Sequence, residues 1–154
     1  IHCRLWGHSP GTGEVRPISK EAATLFRQIA LPDNMRKLNL TTFSIFKQSA
    51  AADIFGRLGV DISGCVDWED YTSLISETNR QSRDQGPENC FVERAIRFSE
   101  VLSTAERLVL KAALTAADFA HAAEEIECSF WRDMNCLDSK NRRAIAAVLI
   151  REGA

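Results

Sequence analysis

Thr104-Ala-Glu-Arg-Leu-Val-Leu-Lys-Ala-Ala-Leu-Thr-Ala-Ala-Asp-Phe-Ala-His-Ala-Ala-Glu-Glu-Ile126 is the stretch on which the fold turns. Ser103 and Glu106 precede its apolar run with the spacing of a capping box, the start signal of a helix. Ala112, Ala113, Ala116, Ala117, Ala120, Ala122 and Ala123 put small residues on several faces. Ala116, Ala120 and Ala123 share one face, where another helix can cross at close range. The spacing predicts one long helix over 104–126 at the centre of a bundle.

Working outward, Phe91, Ala95, Ile96 and Phe98 mark a helix over 89–102. Phe43, Phe46, Ala50, Ile54 and Leu58 mark one over 42–58, stopped by Gly59. Trp68, Tyr71, Leu74, Ile75 and Thr78 mark a third, which frays into the polar run 80–88. Ser19 can cap a helix running to Ala30 and ended by Pro32. Phe130, Trp131, Met134 and Leu137 suggest a short helix, and Asp138 caps a last one with Ala144, Ile145, Val148 and Leu149 inward. Trp68 and Trp131 are assigned to the core by their helical spacing. No stretch alternates with period two, and no repeat of solenoid kind is evident. The expectation is an all-α, compact bundle of six or seven helices forming a single domain over 1–154. It divides into an irregular arm at 1–18, a helical half at 19–79, a linker at 80–88 and a bundle half at 89–154.

Composition narrows the function classes. A chain of 154 residues that is 45% hydrophobic can bury one core. Nineteen basic against twenty-one acidic residues leave a net charge of −2, which gives no field to draw in nucleic acid or an anionic membrane. Cys3, Cys65, Cys90, Cys128 and Cys136 are odd in number and form no C-x-x-C pair. That argues against a disulfide framework or structural zinc and for a reducing, cytoplasmic setting. The most apolar stretch, Leu108 to Ile126, is broken by Lys111, Asp118 and His121 and so falls short of the roughly 20 apolar residues of a membrane span. The chain begins at Ile1 rather than at a methionine, which reads as a processed chain or a piece of a longer one.

The sharpest local signal is Gly59-Val-Asp-Ile-Ser-Gly-Cys-Val-Asp-Trp-Glu-Asp-Tyr71, set between two helices. Over about 51–75 it resembles the helix-loop-helix of the EF-hand family. Asp61 and Ser63 fall on the third and fifth loop positions, Gly64 on the turn glycine, Val66 on the apolar position that pairs with a partner loop, and Asp67 and Asp70 on the ninth and twelfth. The resemblance implies Asp61, Ser63, Asp67 and Asp70 as the metal ligands and calcium as the cofactor. It also implies a degenerate site, because Gly59 brings no carboxylate to the first position and Asp70 is shorter than the closing glutamate. A faint partner loop lies upstream at Leu31 to Leu38. An Asx-Gly turn with Asp67 as a helix cap accounts for the same residues.

Leu102-Ser-Thr-Ala-Glu-Arg-Leu-Val-Leu110 is similar to the first helix of the helix-turn-helix in response regulators and sigma factors, which makes a DNA-binding regulator over about 102–150 the second reading. Phe130, Trp131 and Asp133 stand where base readers are expected, with Lys140, Arg142 and Arg143 beyond them. Asp118, His121 and Glu125 stand at spacings suited to one face of a helix, as a metal site would need. His2, Cys3 and His8 lack the positioned partners of an activated nucleophile, and Pro10 to Gly13 is a turn rather than a phosphate loop. The function expected is a non-enzymatic module for protein-protein interaction or regulation, without functional calcium binding. Its partner is a protein, with nucleic acid and membrane disfavoured; a small enzyme or metal-binding protein ranks third.

Overall fold

The computed structural model describes residues 33–152, and the arm and first helix expected at 1–18 and 19–30 lie outside them. The described chain is all-α: α1 (Asp33–Lys47), α2 (Ala50–Arg57), α3 (Trp68–Arg83), α4 (Phe91–Ser99), α5 (Thr104–Ala116), the single turns α6 (Ala120–Ala123) and α7 (Phe130–Asp133), and α8 (Ser139–Glu152). Short 3₁₀ turns stand at Pro87–Asn89 and Met134–Cys136, and no strand occurs among the described residues.

α5 is the central helix. Leu108, Val109, Leu110, Ala112, Ala113, Leu114 and Ala116 bury nearly all of its circumference, and α2, α4, α6 and α8 pack around it. It starts at the capping box, where Ser103 Oγ accepts from the Glu106 N–H and Glu106 Oε2 accepts from the Ser103 N–H at 2.8 Å. Arg57 Nη1 donates to Glu106 Oε1 at 3.0 Å and ties α2 to this corner. The Ser103 hydroxyl and N–H and the Arg57 charge hold the Glu106 carboxyl below the usual glutamate range.

The helix does not run to Ile126. It stops at Ala116, and Asp118 takes a left-handed φ of +67°. The Phe119 N–H reaches back to the Leu114 carbonyl at 2.9 Å and the Asp118 N–H to the Thr115 carbonyl at 3.1 Å, a Schellman end with aspartate at the position that glycine usually fills. Three side chains donate to carbonyls of the last turn, of which Ala113 O also accepts the Ala117 N–H. Tyr71 Oη donates to Ala113 O at 2.8 Å, Thr72 Oγ1 to Ala116 O at 3.3 Å, and the Arg151 guanidinium to Ala116 O as well. The expected small-residue face is therefore split: Ala116 and Ala123 are buried, whereas Ala120 opens a new turn and is exposed.

The helix expected over 42–58 is likewise two. Ser49 is extended, its Oγ accepts from the Ala51 N–H at 3.1 Å, and Asn141 of α8 accepts the Ala50 N–H at 3.0 Å. A cap from a distant element thus opens α2. The upstream stretch that resembled a partner loop lies in α1 from Asp33 onward. The polar run 80–88 does not separate two halves. α3 continues to Arg83, and buried Asn79 and Ser82 accept the Val92 and Phe91 N–H groups at the start of α4. Two expected core residues sit outside: Trp131 is 92% exposed and Leu149 is also exposed.

Ala116→Leu forces three carbons into a filled contact and should lower stability by about 1 to 3 kcal/mol, while Ala120→Leu should be nearly neutral. Asp118→Gly removes the left-handed strain and should raise stability by about 0.5 to 1 kcal/mol, a melting shift of roughly 2 to 5 °C. Thermal melts of the three variants check this ordering.

Candidate functional site

The loop between α2 and α3 begins with a second Schellman end. Gly59 has φ +83°, the Val60 N–H bonds Phe55 O at 2.8 Å and the Gly59 N–H bonds Gly56 O at 3.0 Å. The role of Gly59 is thus to end a helix, a conformation aspartate adopts only with strain. Asp61 Oδ1 accepts from the Ser63 N–H at 2.8 Å, Asp67 Oδ1 from the Glu69 and Asp70 N–H groups at 3.0 and 2.9 Å, and Asp70 Oδ2 from the Val66 N–H at 3.1 Å. The Ser63 hydroxyl and N–H hold the Asp61 carboxyl below the usual range, with a smaller contribution from Lys47.

Asp61, Ser63 and Asp67 therefore lie in the loop and Asp70 in the first turn of α3, with each carboxylate turned to a backbone N–H. The carbonyl of Cys65, at the seventh loop position where calcium takes a backbone ligand, accepts instead from Lys47 Nζ at 2.9 Å, as does Ser63 O. Val66 is exposed. Among the described residues no group of three or more His, Cys, Asp or Glu side chains is placed to hold a metal ion.

The break after α5 also rearranges the other candidates. Asp118 is left-handed and lies outside both flanking helices, so Asp118, His121 and Glu125 do not share a helical face. His121 is fully exposed, 4.0 Å from Glu124. The elements next after α5, where a DNA-reading helix is expected, are α6 and α7, of four residues each. The thiols of Cys65 and Cys128 are pushed up by burial, which disfavours a reactive thiolate. An open polar cleft of about 440 Å³ is lined by Asn39, Trp68, Glu69, Thr72, Ser73, Asp118 and Arg151. It holds neither histidine nor cysteine, and its guanidinium is engaged by Ala116 O and by Thr72 Oγ1 at 3.2 Å.

The feature most in need of explanation is Trp131. The ring projects into solvent from a turn that is firmly held: the Ser129 N–H bonds Asp133 Oδ2 at 2.9 Å, Arg132 Nε bonds Asp133 Oδ1 at 2.9 Å, and Lys111 Nζ grips Ile126 O and Cys128 O at 3.1 and 3.4 Å. Arg132 and the Ser129 N–H keep the Asp133 carboxyl below its usual range. Phe130 and Met134 pack against the core beside it, and Leu137 is buried.

Sequence reasoning passed over a signal here. Cys128-x-x-Trp131-x-Asp133-x-x-x-Leu137-x-Ser139 repeats Cys65-x-x-Trp68-x-Asp70-x-x-x-Leu74-x-Ser76 at an offset of 63 residues. The two tryptophans differ in cover, since Trp68 is 2% exposed.

Lys47→Met should lower stability by roughly 1 to 2 kcal/mol by releasing two charge-assisted bonds. Micromolar calcium should leave the wild-type melting curve where EDTA leaves it; a calcium-dependent rise would show a working metal loop. Set against known proteins, the chain matches no protein family, no curated protein and no solved structure.

Proposed function

We propose that this chain is a non-enzymatic helical recognition module that docks a protein partner at the corner formed by α7. The observation that carries the reading is the exposure of Trp131, 92% of whose surface meets solvent on a turn whose N-terminal side is held by Lys111 and by the Ser129–Asp133 bond. Leaving a large apolar ring in water forgoes about 1.5 to 3 kcal/mol of burial. Tryptophan has only two side-chain torsions to order when a partner covers it, and it is among the residues that most often dominate binding energy. The catalytic alternative lacks a grouped nucleophile and base among the described residues, and the helix that would read DNA has no counterpart directly after α5, where only single turns stand.

Trp131→Ala removes no internal packing, so its melting temperature should match the wild type within about 1 °C. Immobilised wild-type protein and the variant should then differ in what they retain from a lysate, with one defined species lost from the variant. Identical retention by both would remove Trp131 from recognition and defeat the reading.

A further inference from the structure

The turn between α5 and α6 is made by a sequence that favours a straight helix. From Thr104 to Ile126 there is neither glycine nor proline, and alanine, the strongest helix former, recurs from Ala112 to Ala123. Yet α5 ends at Ala116 and α6 begins at Ala120. Ala117, Asp118 and Phe119 fold the chain back along α5, so that Lys111 Nζ reaches Ile126 O and Cys128 O. Asp118 holds this turn at φ +67°, a conformation that costs free energy in any residue but glycine. The turn also separates backbone groups that suit one another. The Ala116 carbonyl draws on Thr72 of α3 and Arg151 of α8, and α6 opens without a side-chain cap. In one helix running through 117–119, Ala116 O accepts the Ala120 N–H and Ala117 O the His121 N–H.

What keeps the turn closed is the burial that lies beyond it. Ala123, Ile126 and Leu137 sit in the core, and α8 buries Ala144, Ile145, Ala147 and Val148 while packing chiefly on α1 and α5. Asn141 of α8 also caps α2 by accepting the Ala50 N–H at 3.0 Å. A single copy that straightened the turn would strip all of these from the core, and several buried side chains outweigh one strained residue. Two copies that straighten together lose none of them, because each vacates the seat that the other's α8 fits.

We propose that Ala117–Phe119 is a hinge through which two copies of this chain exchange residues 120–152. In the exchanged dimer α5 and α6 join into one helix from Thr104 to Ala123, and α6, α7 and α8 of each copy take in the other the places they hold in their own. The contacts beyond the hinge are remade between copies, the strain at Asp118 is relieved in both, and the helix closes its own bonds across the former break. A short hinge under strain is the feature that invites exchange of identical elements between protomers. Because α8 must leave the core before it can change seats, native monomers keep the turn, and exchange equilibrates through unfolding and refolding. The inference is independent of any role of Trp131 in recognition.

The test uses the whole chain as wild type, Asp118→Ala and Asp118→Gly, each refolded from urea at chain concentrations up to about 1 mM and sized by chromatography with light scattering. Alanine favours the straight helix and glycine the turn. The dimer of Asp118→Ala should therefore dissociate at least about tenfold more weakly than that of the wild type, and the dimer of Asp118→Gly at least about tenfold more readily. Exchange itself is read in a dimer refolded from equal parts of ¹⁵N-labelled and ¹³C-labelled chains. A nuclear Overhauser effect between the Ala50 N–H of one copy and the Asn141 side chain of the other is the expected result, since these groups lie on opposite sides of the hinge. Three monomeric chains, or dimers equally tight in all three, overturn the proposal. A dimer in which Ala50 meets Asn141 only within one copy also overturns it, by assigning the association to a surface contact. If Asp118→Ala does not refold, the wild type is compared with Asp118→Gly, and a wild-type dimer that glycine fails to weaken overturns the proposal equally.

Discussion

The end of α5 is the constraint on which the rest of the bundle depends. A helix buried on nearly all sides must end somewhere inside the protein, and its last carbonyls have no partner of their own. Here the Ala116 carbonyl is met by Thr72 of α3 and Arg151 of α8, while Tyr71 of α3 adds a second donor to the Ala113 carbonyl, which already accepts the Ala117 N–H. A buried carbonyl left without a donor costs about 1 to 3 kcal/mol, so α3 and α8 are held to positions that reach the Ala116 oxygen. The left-handed turn at Asp118 then sends the chain away in a new direction, through α6 toward the loop that carries α7. Trp131 projects from that rerouted segment. The same physics that closes the core thereby exposes the one large aromatic ring outside it among the described residues.

Cations do much of the remaining stitching. Lys47, Arg94, Arg97, Arg107, Lys111 and Arg151 each donate to a backbone carbonyl, and those of Leu58 and Ala116 belong to helix ends, where the dipole favours positive charge. Among the described residues, these six basic side chains are therefore directed at the chain's own backbone. At the α2–α3 loop the same device puts the Lys47 ammonium on the carbonyl that would face a calcium ion in an EF-hand.

Helical periodicity made the elements legible, because most core-facing residues of α2 to α5 and α8 recur at spacings of three and four. The capping box at Ser103 was readable for the same local reason. The two breaks were not. Ser49 opens a new helix because Asn141, 92 residues away from it, takes the next N–H, and Asp118 ends one where glycine would have signalled a stop. Spacing alone also cannot tell an inward apolar residue from an outward one in a single-turn helix, which is why it places Trp131 in the core. The loop of Asp61, Ser63, Asp67 and Asp70 is ambiguous in sequence for a chemical reason: oxygens that bind a hard cation are the same oxygens that cap turns and helices. Its repeat at Cys128 to Ser139 lies in capping and gripping residues rather than in apolar periodicity, so a reading of hydrophobic faces passes over it.

The most direct test of this account is the backbone conformation of Asp118 in solution. An intense intraresidue HN–Hα nuclear Overhauser effect at Asp118, with helical Cα shifts lost across Ala117 to Phe119 and regained from Ala120, is the result the structure predicts. Unbroken helical shifts from Thr104 to Ile126 would contradict it, for then α5 would not end at Ala116 and the chain would not be turned toward the exposed corner at Trp131.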